Sequence, residues 1–143
     1  MKVKGIQAVT KELEKKAKQI ENKIVAQVFD SGQEIMAQAD RNKPAYSWGN
    51  ITIMQGGNKS DKLTFVVQAS DLGNEPMAAY WEFGTGKNFL ENMSGYTREQ
   101  INLAKKFYVD GKGTIKAHPY LFPAYYTERK NFIKEIKKII KST

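Results

Sequence analysis

The stretch "ITIMQGGNKSDKLTFVVQAS", Ile51 to Ser70, decides the fold, because it is where the hydrophobic period changes. In "ITIMQ", residues 51–55, apolar and polar positions alternate. The same alternation runs through "KLTFVVQAS", residues 62–70, where Leu63, Phe65, Val67 and Ala69 share a face opposite Thr64, Val66 and Gln68. A period of two is that of a half-buried strand. The link "GGNKSD", residues 56–61, is polar, glycine-rich and short enough to turn a hairpin. Residues 50–70 are therefore expected as two antiparallel strands.

On either side the period returns to that of a helix. Upstream, Ile6, Val9, Leu13, Ala17, Ile20, Ile24 and Val28 recur at spacings of three and four, with Lys and Glu between them. This predicts one long amphipathic helix over about residues 1–40, with a bend or break at Gly32 and an end enforced by Pro44. Downstream, Phe132, Ile133, Ile136, Ile139 and Ile140 face one way and Lys134, Lys137, Lys138 and Lys141 the other, the pattern of a second amphipathic helix whose closing lysines suit its dipole. Between hairpin and last helix lie a connector at 76–86, a polar insertion at 87–114 and "GTIKAH", read as a further strand; strand and terminal helix together make up 115–141, the helix beginning near Phe122 or Pro123. Within the insertion, Thr97 followed by Glu99 and Gln100 predicts a short capped helix that packs only lightly. Helix, hairpin, corner, insertion, strand, helix is an α+β order with a small, mainly antiparallel sheet, and 143 residues fit it as a single domain, 1–143.

Composition excludes several classes of function. The chain has no cysteine, which removes disulfides, thiolate metal sites and cysteine nucleophiles. It has one histidine, His118, between Ala117 and Pro119, where a turn residue is expected rather than a ligand or base. No apolar run approaches the length of a membrane span and no signal-type apolar region follows the first lysines, so a soluble chain is expected. The net charge of +8 is concentrated at the two ends. Residues 1–23 hold seven lysines and three glutamates, residues 126–143 six basic and two acidic residues, and the stretch between is neutral. A sequence-independent DNA binder gathers its charge on one face beside stacking aromatics. Here the charge falls on terminal helices, and a small basic nucleic-acid-binding module is the alternative to the reading below.

The segment "AAYWEFGTGKN", Ala78 to Asn88, first suggests chemistry. A phosphate loop needs a glycine five residues before Gly86-Lys87, but Trp81 stands there, and Asn88 replaces the hydroxyl that should follow. Glu82 has no acidic partner at a spacing that would make a catalytic pair. Its expected role is to accept backbone or hydroxyl donors, or to pair across an interface. No nucleophile, base and orienting group can be assembled, so no catalytic, metal or cofactor residue is assigned.

The same segment carries a resemblance. "AAYWEFGTG" is similar to the tyrosine, glutamate, phenylalanine, glycine, threonine segment of the gp-ten-like tail-component family of long-tailed bacteriophages, also described as head-tail joining or tail-completion proteins. "AHPYLFPAYYTERKNFIKEIKKII" resembles that family's closing pattern of alanine, a Pro-aromatic-Leu step, Pro-Ala and a terminal helix. "WGNITI" stands in the place of its Thr-Gly-x-Leu entry to the first strand, with Trp48 for threonine and Ile51 for leucine. The match spans most of the chain and departs over 87–114. It implies a structural protein of a phage or prophage virion neck, present in the host cytoplasm during assembly and without enzymatic activity. It further implies a sixfold homo-oligomeric ring between the head connector and the tail tube or terminator proteins, meeting DNA only in passing. By residue, it implies a shaped corner of Tyr80, Glu82, Phe83, Gly84 and Thr85, against which Pro119, Leu121, Pro123 and Ala124 set the last helix.

Overall fold

A computed structural model describes residues 5–44, 52–56, 63–70, 77–91, 96–105 and 112–142. The fold is α+β. Its spine is α1 (Ile6–Asn42), one helix of 37 residues and about 55 Å. It stops where Pro44 demands, with Lys43 already extended and its N–H donating to the Ala39 carbonyl. The expected break at Gly32 does not occur. Gly32 is buried in an unbroken helix, and a Cβ there would run into the Phe65 ring, so the residue serves a close approach and not a bend.

β1 (Thr52–Gly56) and β2 (Val66–Ser70) pair antiparallel, with Ile53 opposite Ala69 and Gln55 opposite Val67. Both strands that the alternation predicts are present, but β2 is shorter than expected, since residues 63–65 are a turn and irregular chain; residues 57–62 of the link lie outside the described residues. Ile53 and Ala69 turn inward onto a core of Ala39, Ala78, Tyr120 and Ala124, flanked by Ile35, Trp81 and Leu121. Among the described residues the sheet has these two strands and no third.

Three expectations for the second half need correction. The corner at 76–86 is helical in its first part: α2 (Met77–Phe83) buries Ala78, Glu82 and Phe83, and the Gly84 N–H donates to the Tyr80 carbonyl, closing the last turn. The chain then turns at Gly84 and Gly86, both at positive φ. "GTIKAH" forms no strand. Burial alternates there as in a strand, with Ala117 buried between exposed Lys116 and His118. Its partner, however, is the turn at Thr85 and not a neighbouring strand, so no ladder develops. The insertion is also more than a light cover. It holds α3 (Asn88–Glu91) and α4 (Arg98–Ala104), and Phe89 and Ala104 join Phe83 in a second core, with Tyr96 and Phe122 against it. Thr97 and Gln100 do form the expected cap, and reciprocally: Gln100 Oε1 accepts the Thr97 N–H at 2.7 Å and Thr97 Oγ1 accepts the Gln100 N–H at 3.4 Å.

α5 (Leu121–Lys141) closes the fold antiparallel to α1, for Tyr120 and Ala124 pack near Ala39 while Glu128 meets Ser31.

Candidate functional site

The two segments that carry the family resemblance meet at one carboxylate. Glu82, in the last turn of α2, is 3 % exposed. Its Oε2 accepts the backbone N–H groups of Tyr120 at 2.8 Å and Leu121 at 2.9 Å, and its Oε1 accepts that of Phe122 at 3.1 Å. The Tyr96 hydroxyl reaches Oε1 from the insertion at 3.5 Å. Any helix opens with four backbone N–H groups that have no partner within it. In α5 Tyr120 is the N-cap and provides no side-chain cap of its own. The next residues are Leu121, Phe122 and Pro123, and proline has no N–H. Glu82 thus satisfies every donor of the first turn from a different helix, and its negative charge sits at the positive end of the α5 dipole.

Around this cap the chain is stitched in layers. The Thr85 N–H donates to the Ile115 carbonyl at 2.9 Å, and Thr85 Oγ1 accepts the Ile115 N–H at 3.0 Å, so a buried threonine acts on both sides as a strand residue would. The His118 N–H donates to the Trp81 carbonyl at 2.7 Å, and Asn88 Nδ2 to the Thr114 carbonyl at 3.0 Å. Tyr120, 1 % exposed, donates its hydroxyl to the Ala78 carbonyl at 3.0 Å. Gly86 must be glycine, because its φ is 57° and a Cβ would strike the Gly113 carbonyl.

Of the residues that the sequence assigned, Tyr80, Glu82, Phe83, Gly84 and Thr85 stand on one side of this joint. Ala124 and Leu121 pack on the other side, in the core shared with Ala39 and Ala78. Pro119 is half-buried and Pro123 exposed; each contributes a fixed φ and a missing donor rather than contact area. Burial pushes the Glu82 carboxyl above the ordinary glutamate range, while the N–H groups of Leu121, Tyr120 and Phe122 pull the other way. Burial, then the neighbouring Glu82 charge, holds the Tyr96 phenol above its usual value.

Sequence reasoning missed a second buried carboxylate. Glu128 on α5 is 6 % exposed and accepts the Ser31 hydroxyl of α1 at 2.7 Å, while Asn131 Nδ2 donates to its other oxygen at 3.2 Å. The signal was its place four residues from both Ala124 and Phe132, which puts it on the apolar face of α5. Beside it, α1, α5 and residues 63–65 enclose an open groove of about 500 Å³. Among the described residues, no cluster of three or more His, Asp or Glu side chains is placed to hold a metal, and no helix is long and apolar enough to cross a membrane. Set against protein-family models, curated proteins and solved structures, the chain matches none of them.

Proposed function

We propose that the chain is a structural protein of the neck of a long-tailed phage or prophage, a ring-forming adaptor that joins the head to the tail or completes the tail. It acts by binding and not by catalysis. Copies assemble as a sixfold homo-oligomer, with the head connector on one side and the tail tube or terminator on the other, and DNA passes through without sequence-specific contact.

The observation that carries this reading is the Glu82 cap. The two family-like segments, 38 to 40 residues apart in the chain, are joined there by three backbone hydrogen bonds to one carboxylate. An acid committed to a helix end is an architectural residue, and the joint aims α5 along α1. Two further features favour assembly. Among the described residues the sheet has two strands, few enough for a neighbouring copy to extend it. The α5 lysines are exposed, and among the described residues Arg129 is the one basic residue lining the groove, which favours an adaptor over a nucleic-acid module with a concave basic surface.

The test is solution mass, then electron microscopy of the protein alone and mixed with candidate connector-side and tail-side proteins. Rings, or a defined complex with either partner, are the expected result. Persistent monomers that bind neither protein but hold DNA tightly, with a steep loss of binding in salt, would overturn the reading in favour of the nucleic-acid module.

A further inference from the structure

Residues 96–105 lie across the α2–α5 joint as a strap. Tyr96 stands immediately before the Thr97–Gln100 cap of α4, so the reciprocal bonds of that cap fix how the chain carries Tyr96 into the helix. Tyr96, Gln100 and Ala104 follow at spacings of four, which places them on one face. That face turns inward: Gln100 is 8 % and Ala104 0 % exposed, and Ala104 shares a core with Phe83 and Phe89. The Tyr96 ring meets both sides of the joint, Phe83 of α2 with centroids 6.1 Å apart and Phe122 of α5 at 6.0 Å. Its hydroxyl at the same time reaches Glu82 Oε1.

The four donors around Glu82 are not alike once the carboxyl takes a proton. The N–H groups of Tyr120, Leu121 and Phe122 belong to the backbone and can only donate, whereas a hydroxyl both donates and accepts. Among the described residues, Tyr96 is therefore the one group bonded to the carboxyl that can accept from the neutral acid. Toward the charged carboxylate the same hydroxyl is a weak partner, because 3.5 Å is well beyond the length of a strong O–H···O⁻ bond, about 2.5–2.7 Å. No cation offsets the charge either. Among the described residues, the ion pairs are Arg41–Glu34, Lys43–Asp40 and Lys138–Glu135, and none includes Glu82. Of the other ionisable groups on the elements that meet here, Tyr120 turns its hydroxyl to the Ala78 carbonyl, Tyr126 lies within electrostatic reach of Tyr96, Tyr80 is half-buried, and Lys87, Arg98, Glu99, Lys105 and His118 are exposed.

We propose that residues 96–105 are a proton-sensitive strap: a proton on Glu82 holds them closed over the joint, and its loss lets them lift. The lifted form keeps the three backbone N–H bonds and admits water, so an ionised Glu82 is more stable there than under the closed strap. Burial holds the Glu82 carboxyl above the ordinary glutamate range, and burial is what lifting removes, while the N–H groups that act the other way remain. Proton and strap thus promote each other. Closure is favoured at acidic pH and weakens as pH rises through the folded value. The device belongs to the joint itself and is independent of what the chain assembles with.

The first test needs only the full wild-type chain. Hydrogen exchange of α4 amides, residues 101–104, is compared with that of α5 amides, residues 124–132, in one sample at a series of pH values from weakly acidic to weakly alkaline. The α5 amides report opening of the whole fold, and the ratio cancels the intrinsic pH dependence of exchange. The ratio of α4 to α5 opening should rise with pH, by up to about tenfold per pH unit, the limit for a single proton. In Glu82→Gln, whose side chain has no proton to lose, it should stay flat. A flat ratio in wild type overturns the strap, and an equal rise in Glu82→Gln does so as well, since the proton then resides elsewhere. The second measurement is carbon-detected NMR of the Glu82 carboxyl in Tyr96→Ala, with a circular dichroism melt to verify folding. Loss of the anchor should move the Glu82 titration to lower pH, and an unchanged or higher midpoint overturns the strap. Should either variant fail to fold, the other measurement decides.

Discussion

At the scale of the residue, the molecule turns on Glu82, and a single-atom change tests it. Glu82→Gln keeps shape and volume but replaces one carboxylate oxygen with an NH₂ donor. Since Tyr120 and Leu121 use one oxygen and Phe122 the other, the amide must face at least one backbone N–H with another donor. The expected loss is about 1–3 kcal/mol of folding stability, read by urea denaturation, the cost of leaving a buried donor without an acceptor. The pH dependence has a definite sign. The folded-state pKa of Glu82 is raised above 4.5, mainly by burial, so between 4.5 and that raised value the folded protein binds more protons than the unfolded one. Its contribution to stability is then full below pH 4.5 and is lost as pH rises through the folded value. The advantage of wild type over Glu82→Gln should accordingly be larger at pH 4.5 than at pH 7; an advantage that grows toward pH 7 would mean that the N–H groups outweigh burial. The role of this residue was half legible in the sequence. A lone acid among aromatics with no acidic partner reads as an acceptor of donors, but which donors could not be read, because they lie 38 residues and more away.

At the scale of the element, local pattern succeeded where burial is set by one periodic face and failed where a distant contact decides. The limits of α1, the hairpin alternation and the Thr97–Gln100 cap all follow from neighbours within four residues of each other. Gly32 does not. Read locally it breaks a helix, since glycine costs about 1 kcal/mol relative to alanine in a helix interior. In the fold its missing Cβ makes room for Phe65, whose ring also meets Phe29 edge-on with centroids 5.6 Å apart. Gly32→Ala should therefore lower the melting temperature despite its better propensity. In a Phe65→Ala background the same substitution should raise it, since the obstacle is gone and the propensity gain of about 1 kcal/mol remains. Two independent losses that simply add would show that Gly32 is there for another reason. The strand expected over "GTIKAH", residues 113–118, failed for a related cause. Ile115 and Ala117 do alternate with exposed neighbours, but the partner that the sequence could not reveal is Thr85, a turn, which supplies bonds to Ile115 alone.

At the scale of the whole molecule, the long helix divides into a half that the fold stabilises and a half that it does not. Residues 24–42 pack against α5 and the hairpin, with Ser31 and Ala39 buried, whereas residues 5–19 make no covered face. The sequence shows no such division, since its apolar stripe is continuous from Ile6 to Val28; what ends the coverage is the length of α5, a property of a segment more than 100 residues later. Helices without tertiary packing are marginal in water at this length, although residues 5–19 have the advantage of growing from a formed helix. Amide hydrogen exchange should separate the two halves. In the monomeric protein, amides of residues 9–19 should exchange orders of magnitude faster than those of residues 27–39. The former open by fraying and the latter only with global unfolding. Equal protection of both halves in a proven monomer would mean that residues 5–19 are stable by propensity alone, and that their apolar stripe needs no partner to hold its shape.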